Sequence, residues 1–129
     1  MTNDNTTRIT PFLTVNDAKK AVEFYVSAFN AKEVSRNAMP NDRLSSKISI
    51  ENALFWVADE EPEFGNISPD VNVANSIRII LETIHADDLF ANALKYGATE
   101  ICPMTTEDEW RIGKLKDPFG HVWEIGYVL

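Results

Sequence analysis

Cysteine is nearly absent from this sequence, and long apolar runs are missing altogether. Cys102 is the only cysteine in the 129 residues, which excludes an intrachain disulfide and a cysteine metal cluster. No apolar stretch approaches the length of a membrane span, and residues 1–7 are polar and do not resemble a signal sequence. We therefore expect a cytoplasmic protein that makes no contact with a membrane.

Basic residues are also scarce relative to acidic ones. Lysine and arginine together number 12 and aspartate and glutamate 20, for a net charge of -8. This balance argues against nucleic acid as a partner, because binding phosphates requires a basic surface. The acidic balance is compatible with a cationic ligand, although solubility alone accounts for it more simply.

The sequence contains a repeated pattern of one strand, one helix and three further strands. The first copy occupies residues 8–59. A strand over 8–15 precedes a helix that Asn16 or Asp17 can cap by accepting from its free N–H groups. Apolar residues then follow the spacing of one helical stripe, at Ala18, Ala21, Val22, Tyr25, Val26 and Phe29. Asn30 can end the helix in a left-handed conformation. Further strands are predicted over 32–36, 44–50 and 53–58.

The same order restarts after a loop rich in proline and glycine at 60–75. A strand is predicted over 76–83, and the helix that follows can be capped by Asp87 and ended by Gly97. The apolar residues on one face of that helix are Leu89, Phe90, Ala93 and Leu94. The remaining strands are predicted over 98–102, 110–116 and 121–128. A type I turn at Asp117–Gly120 joins the last two.

Two copies of a βαβββ module therefore account for the chain. Segments 30–34 and 97–101, which follow the two helices, align directly. The predicted fold class is α+β, with the helices on one side of mixed sheets. We expect a single domain over 1–129, with module one at 8–59, a linker at 60–75 and module two at 76–128. Such modules leave sheet edges open, which favours a homodimer.

Three stretches of the sequence resemble the vicinal-oxygen-chelate superfamily, which includes glyoxalase I, extradiol dioxygenases and bleomycin-resistance proteins. They are the opening Ile9–Asp17 with Phe24–Tyr25, the middle Leu54–Gly65 and the closing Asp117–Ile125. The middle and closing stretches are most similar to its PhnB-like branch. The resemblance implies the glyoxalase/bleomycin-resistance fold, in which two modules form a cupped mixed sheet, commonly completed in a homodimer, and ligands bind in the cup.

Enzymes of this superfamily hold a divalent metal with four side chains, one from the first and one from the fourth strand of each module. Carried over to this chain, those positions fall on Thr10, Trp56, Arg78 and Glu124. Arginine has no lone pair to give, and a threonine with one carboxylate holds a divalent ion weakly. His85 lies beyond the end of its strand, and His121 is an odd number of residues from Glu124, which places those two on opposite faces. The sequence therefore predicts no metal site and no cofactor.

The same four positions predict an ion pair in place of the metal. Arg78 and Glu124 would face one cup, where a guanidinium and a carboxylate can pair directionally. Strand alternation places Phe12 and Glu82 on that face, and Trp110 lies near its mouth. The predicted ligand-binding residues are Phe12, Trp56, Arg78, Glu82, Trp110 and Glu124. An aromatic cup with few charges suits a small amphipathic or cationic organic ligand; the alternative is that these side chains fill the interior and leave no cavity.

We therefore expect a metal-independent protein that binds a small molecule in a dimeric cup, as bleomycin-resistance proteins do, and we assign no catalytic residue. The first alternative is a divalent-metal-dependent lyase, isomerase or dioxygenase, which requires the alignment at Trp56 and Arg78 to shift by one residue. The second is metal-free acid–base catalysis, with Glu124 or Glu82 as the base and Arg78 stabilising an enolate. The lost ligand positions favour a role without catalysis.

Overall fold

The computed structural model describes residues 6–129, which form two modules with the same order of elements. Module one consists of β1 (Phe12–Val15), α1 (Ala18–Phe29), β2 (Lys32–Met39), β3 (Arg43–Ile50) and β4 (Ala53–Asp59). Module two consists of β5 (Arg78–Glu82), α2 (Ala86–Lys95), β6 (Thr99–Glu107), β7 (Trp110–Lys116) and β8 (Val122–Val128). Within 6–129 neither helix has the length and apolar composition that crossing a membrane requires.

Each module forms its own four-stranded mixed sheet, and the two sheets share one topology. The strand order is β1-β4-β3-β2 in module one and β5-β8-β7-β6 in module two. The first strand of each module pairs in parallel with the fourth, and the other pairs are antiparallel. The predicted α+β architecture of two βαβββ modules is confirmed.

One hydrophobic core joins the two modules through the helix-side faces of their sheets. Phe55 on β4 and Trp123 on β8 are in edge contact, with ring centroids 5.5 Å apart. Tyr25 on α1 contacts both rings, at 5.3 and 5.8 Å. The helices are linked as well, because Asn92 Nδ2 donates to the carbonyl of Ser27 at 2.9 Å. The opposite faces of both sheets stay outside this core.

A buried carboxylate, Asp117, lies at the junction of the two modules and is 3% exposed. Its Oδ2 accepts from the hydroxyl of Tyr25 at 2.5 Å and from Nε1 of Trp123 at 2.9 Å. Its Oδ1 accepts from the backbone N–H groups of Phe119 and His121 at 2.9 and 3.0 Å. Four donors therefore satisfy this charge, as burial of a carboxylate requires.

The predicted turn at 117–120 is confirmed, since the N–H of Gly120 donates to the carbonyl of Asp117 at 3.1 Å. The sequence predicts only the turn. The structure adds that the turn holds Asp117 against Tyr25 of module one. Burial, then the negative charge of Asp117 and its hydrogen bond, raise the pKa of Tyr25 well above the ordinary value, so this hydroxyl stays a donor.

Helix ends follow the sequence signals except at the start of α2, and Gly97 follows the last turn of α2 with a φ of 112°. Asp17 caps α1 by accepting from the N–H of Lys20 at 3.1 Å, and Asn30 ends it with a φ of 53°. The prediction that Asp87 caps α2 is wrong, because that helix begins at Ala86 and Asp87 lies in its first turn. The carboxylate of Asp87 is engaged elsewhere, 3.1 Å from Nε of Arg111 on β7.

The buried face of α1 is wider than one stripe and includes a residue that the periodicity omitted. Phe24 is 6% exposed, whereas the predicted core residue Val26 is 40% exposed. The reason is that α1 packs against module two as well as against its own sheet, and Phe24 meets the ring of Phe119 at 6.2 Å.

Strand ends differ from the prediction where pairing partners decide them. The first strand begins at Phe12, because Pro11 has no N–H for a ladder and only its carbonyl pairs, accepting from the N–H of Trp56 at 2.9 Å. β2 and β6 run further than predicted because their hairpin partners continue beside them, Met39 opposite Arg43 and Glu107 opposite Trp110.

Replacing Asp117 with Asn is expected to destabilise the whole chain. The amide has one oxygen and one NH2 group in place of two oxygens, so its NH2 would face two of the four donors, and each buried donor left unsatisfied costs about 1–3 kcal/mol. Urea unfolding should show this loss in a single transition, because the modules share one core. Tyr25→Phe, which leaves Asp117 its other three donors, is the control and should lose less. A D117N protein as stable as the wild type would remove Asp117 from this role.

Candidate functional site

The sheet faces that point away from the helices carry most of the predicted ligand-binding residues. On β1 and β5 these faces present Phe12 and Ile80, which are 58% and 60% exposed. The register pairs Phe12 with Trp56 and Ile80 with Glu124. Trp56 and Glu124 therefore hold equivalent positions in the two modules.

Thr10 and Arg78 complete this equivalence. Each lies two residues before the strand residue that pairs with Trp56 or Glu124. Thr10 itself precedes β1, which begins at Phe12. The two modules thus match one another at all four positions, without a one-residue shift between them.

The predicted ion pair between Arg78 and Glu124 is present. Nε of Arg78 lies 2.7 Å from Oε1 of Glu124. Nζ of Lys114, which is opposite Glu124 in the β7–β8 pairing, lies 3.8 Å from the same oxygen. The side chain of Glu124 is 18% exposed, and its carboxylate lies between two cations.

The equivalent position in module one holds an aromatic pair instead. The rings of Phe12 and Trp56 are stacked, with centroids 6.0 Å apart and planes 9° from parallel. Nζ of Lys47 lies 5.6 Å from the centre of the Trp56 ring, within the range of a cation–π contact. Lys47 pairs with Trp56 as Lys114 pairs with Glu124, so each module has a lysine at the same place.

A groove of about 700 Å³ lies between β1 and β5. Most of its lining is apolar, and Arg78 is the permanently charged side chain among the lining residues. The principal lining residues are Phe12, Ile77, Arg78, Ile80, His121 and Val122. His121 also connects the modules here, with Nε2 2.8 Å from the carbonyl oxygen of Thr14.

Four of the six predicted ligand-binding residues come together around this groove. Phe12 and Arg78 line it, Trp56 stacks on Phe12, and Glu124 pairs with Arg78. These residues connect the groove to both modules.

Glu82 and Trp110 do not join that group. Glu82 ends β5 opposite Gly126 and does not line the groove. Trp110 pairs with Val128, four residues along β8 from Glu124, which is about 13 Å at ordinary strand rise. Lys47 and Lys114 were missed by sequence analysis. For Lys114 a signal existed, since the register of the hairpin around 117–120 places it opposite Glu124.

The side chains at the four superfamily positions do not fit a divalent metal. Within residues 6–129, no group of three or more His, Cys, Asp or Glu side chains is arranged to hold one. Glu124 is the single metal-type ligand of the four, and its neighbour Arg78 can only donate. Neither histidine compensates, because His85 lies past the end of β5 and His121 is turned to the Thr14 carbonyl.

The chain matches one known family over nearly all of its length. Residues 7–126 match the family model described as 3-demethylubiquinone-9 3-methyltransferase. An uncharacterized protein of Mycobacterium bovis is 33% identical over 125 residues, which cover 92% of this chain and 81% of that protein.

Solved structures share the fold at low sequence identity. FosX from Listeria monocytogenes, a fosfomycin-resistance protein complexed with Mn(II) and sulfate, has a TM-score of 0.69 at 16% identity, covering 96% of this chain and 93% of that one. The PhnB protein of Bacillus cereus has a TM-score of 0.69 at 18% identity, covering 95% and 100%. Both likenesses extend over the two modules, so they concern the complete glyoxalase/bleomycin-resistance fold.

The Arg78–Glu124 pair is expected to contribute little to stability. Arg78 is 58% exposed, and pairs that water can reach are worth about 0.2–1 kcal/mol in double-mutant cycles. The cycle combines Arg78→Met with Glu124→Gln and measures the free energy of unfolding in urea. A coupling well above that range would make the pair a structural element and not part of a binding site.

Proposed function

This chain belongs to the 3-demethylubiquinone-9 3-methyltransferase family, in the PhnB-like branch of the vicinal-oxygen-chelate superfamily, and on that premise we propose that it binds a small organic molecule without a metal ion. The ion pair of Arg78 with Glu124 carries the proposal. The guanidinium of Arg78 donates hydrogen bonds and does not ligate a metal. Its own positive charge balances the negative charge of the Glu124 carboxylate. Methyl transfer is not part of the proposal, because the family match assigns no residue to it.

The groove between β1 and β5 supports small-molecule binding. Its volume of about 700 Å³ lies within the range of ligand sites, and apolar walls with few polar groups are typical of them. Ile77 and Ile80 leave 76% and 60% of their surfaces exposed there. Such large exposed apolar side chains favour a surface that something covers.

A second copy of the chain is the partner that the sheet edges favour. β1 and β5 are edge strands, and their sequences are largely apolar. The other edges, β2 and β6, contain register shifts in their pairing, and such irregular pairing is a device that keeps edges from associating. We therefore include a symmetric homodimer in the proposal. A reducing cytoplasm suits it, because the only cysteine, Cys102, is exposed.

A metal-dependent enzyme is the second candidate, and the Mn(II) in the FosX complex is the observation that favours it. Metal-free acid–base catalysis has weaker support. Both neighbours of Glu124 described above are cations, and Glu82 does not line the groove.

Protein purified without chelator is expected to contain substoichiometric manganese, iron, nickel and zinc by mass spectrometry. It should bind the neutral probe 2-naphthalenemethanol equally well with and without EDTA in calorimetry. Phe12→Ala should weaken this binding about tenfold, because an aromatic contact contributes about 0.5–1.5 kcal/mol beyond its buried area.

Phe64→Ala is the matched control, since Phe64 is exposed on the 62–64 turn and does not line the groove. One equivalent of metal, with binding or turnover that EDTA abolishes, would establish the second candidate instead.

The wild-type chain is expected to elute as a dimer at micromolar concentration, with its mass given by light scattering. Ile80→Glu places a charge on the apolar face of β5 and should shift the protein to monomer. Ile84→Glu is the control, because Ile84 is exposed beyond the end of β5 and should leave the dimer intact. A monomeric wild type would contradict the homodimer.

A further inference from the structure

A second hollow lies beside the groove, between the segment at 72–76 and the sheet of module two. It encloses about 300 Å³ and shares Arg78, Asn75, Ser76 and Val122 with the groove. Two further cations, Lys114 and Lys116, stand in its wall. None of its lining residues is an aspartate or a glutamate.

The wall of this hollow is held in place by contacts between residues remote in sequence. Nζ of Lys116 donates to the carbonyls of Val71 and Val73 at 3.0 and 3.3 Å. Nδ2 of Asn75 donates to the carbonyl of Gly120 at 2.6 Å. The segment at 71–75 is therefore anchored to β7 and to the turn that follows it, so the hollow does not depend on a free loop.

Positive charge is concentrated here although the chain carries a net charge of -8. Glu124, which does not line the hollow, contacts Arg78 and Lys114 together. One negative charge thus holds two cations in position and neutralises only one of them. Arg78 meets Glu124 through Nε, and its guanidinium carries further N–H donors in a planar fork that suits an anion.

We propose that this hollow receives the anionic group of an amphipathic ligand, a carboxylate or a similar planar anion, whose apolar body lies in the adjoining groove against Phe12, Ile77 and Ile80. The proposal rests on the small-molecule binding proposed above and assigns the ligand its charge. A cationic ligand, which the overall acidity allows, would meet Arg78, Lys114 and Lys116 here. Local charge, and not net charge, decides which ligand the site accepts.

Three probes that share one ring system test the charge. Calorimetry at low ionic strength compares 2-naphthoate, 2-naphthalenemethanol and 2-naphthylmethylammonium on the wild-type protein. Naphthoate should bind about tenfold more tightly than the alcohol, because hydrogen bonds between charged groups are stronger than those to a neutral hydroxyl. The ammonium should bind more weakly than the alcohol. This order needs no variant.

Lys114→Gln locates the anion. It should remove most of the advantage of naphthoate and leave the affinity for the alcohol unchanged. Lys47→Gln is the matched control, since Lys47 holds the equivalent position in module one and does not line the hollow.

Each result decides between the two proposals. Three results would overturn the anion site. The first is that naphthoate binds no more tightly than the alcohol, and the second is that the ammonium binds most tightly. The third is that the K114Q protein keeps the full advantage of naphthoate. Binding of the alcohol would leave the proposed function standing in all three cases. Failure of all three probes would count against the proposed function itself, and the anion site would fall with it.

Discussion

The arrangement of both modules depends on the hydrogen bonds that the buried carboxylate of Asp117 accepts. A charge removed from water is tolerated only when it is fully hydrogen-bonded, and the donors here come from both halves of the chain. Tyr25 belongs to α1, whereas Trp123 belongs to β8. Any movement of one module against the other would break part of this set. The relative position of the modules is therefore restrained by polar contacts as well as by apolar packing.

Joining the modules through their helix-side faces has a direct consequence for function. The opposite faces of both sheets remain available, and the groove forms where the edge strands β1 and β5 approach each other. The two modules use equivalent positions for different chemistry. Module one places the stacked rings of Phe12 and Trp56 there, whereas module two places the ion pair of Arg78 and Glu124. The same backbone motif therefore carries an aromatic pair in module one and an ion pair in module two.

Some of these features were predictable because they depend on local periodicity or short-range chemistry. Alternation along a strand has a period of two, so the shared face of Arg78 and Glu124 followed once their strands were aligned. The Asp17 cap and the left-handed Asn30 are likewise local. Errors arose where a distant partner outweighed the local signal. Asp87 pairs with Arg111 and does not cap its helix, and Phe24 is buried by Phe119 from the other module.

The sequence by itself determined the repeated βαβββ order, the residues on each strand face and the residue types at positions 10, 56, 78 and 124, because each of these depends on spacing within a single element or on residue chemistry. Only the tertiary structure decided which faces meet and where charge gathers. Lys116 reaches the carbonyls of Val71 and Val73, and Asn75 reaches Gly120, across 43 to 45 residues of sequence. A positive hollow on an acidic chain arises from such long-range contacts, and neither composition nor periodicity contains that information.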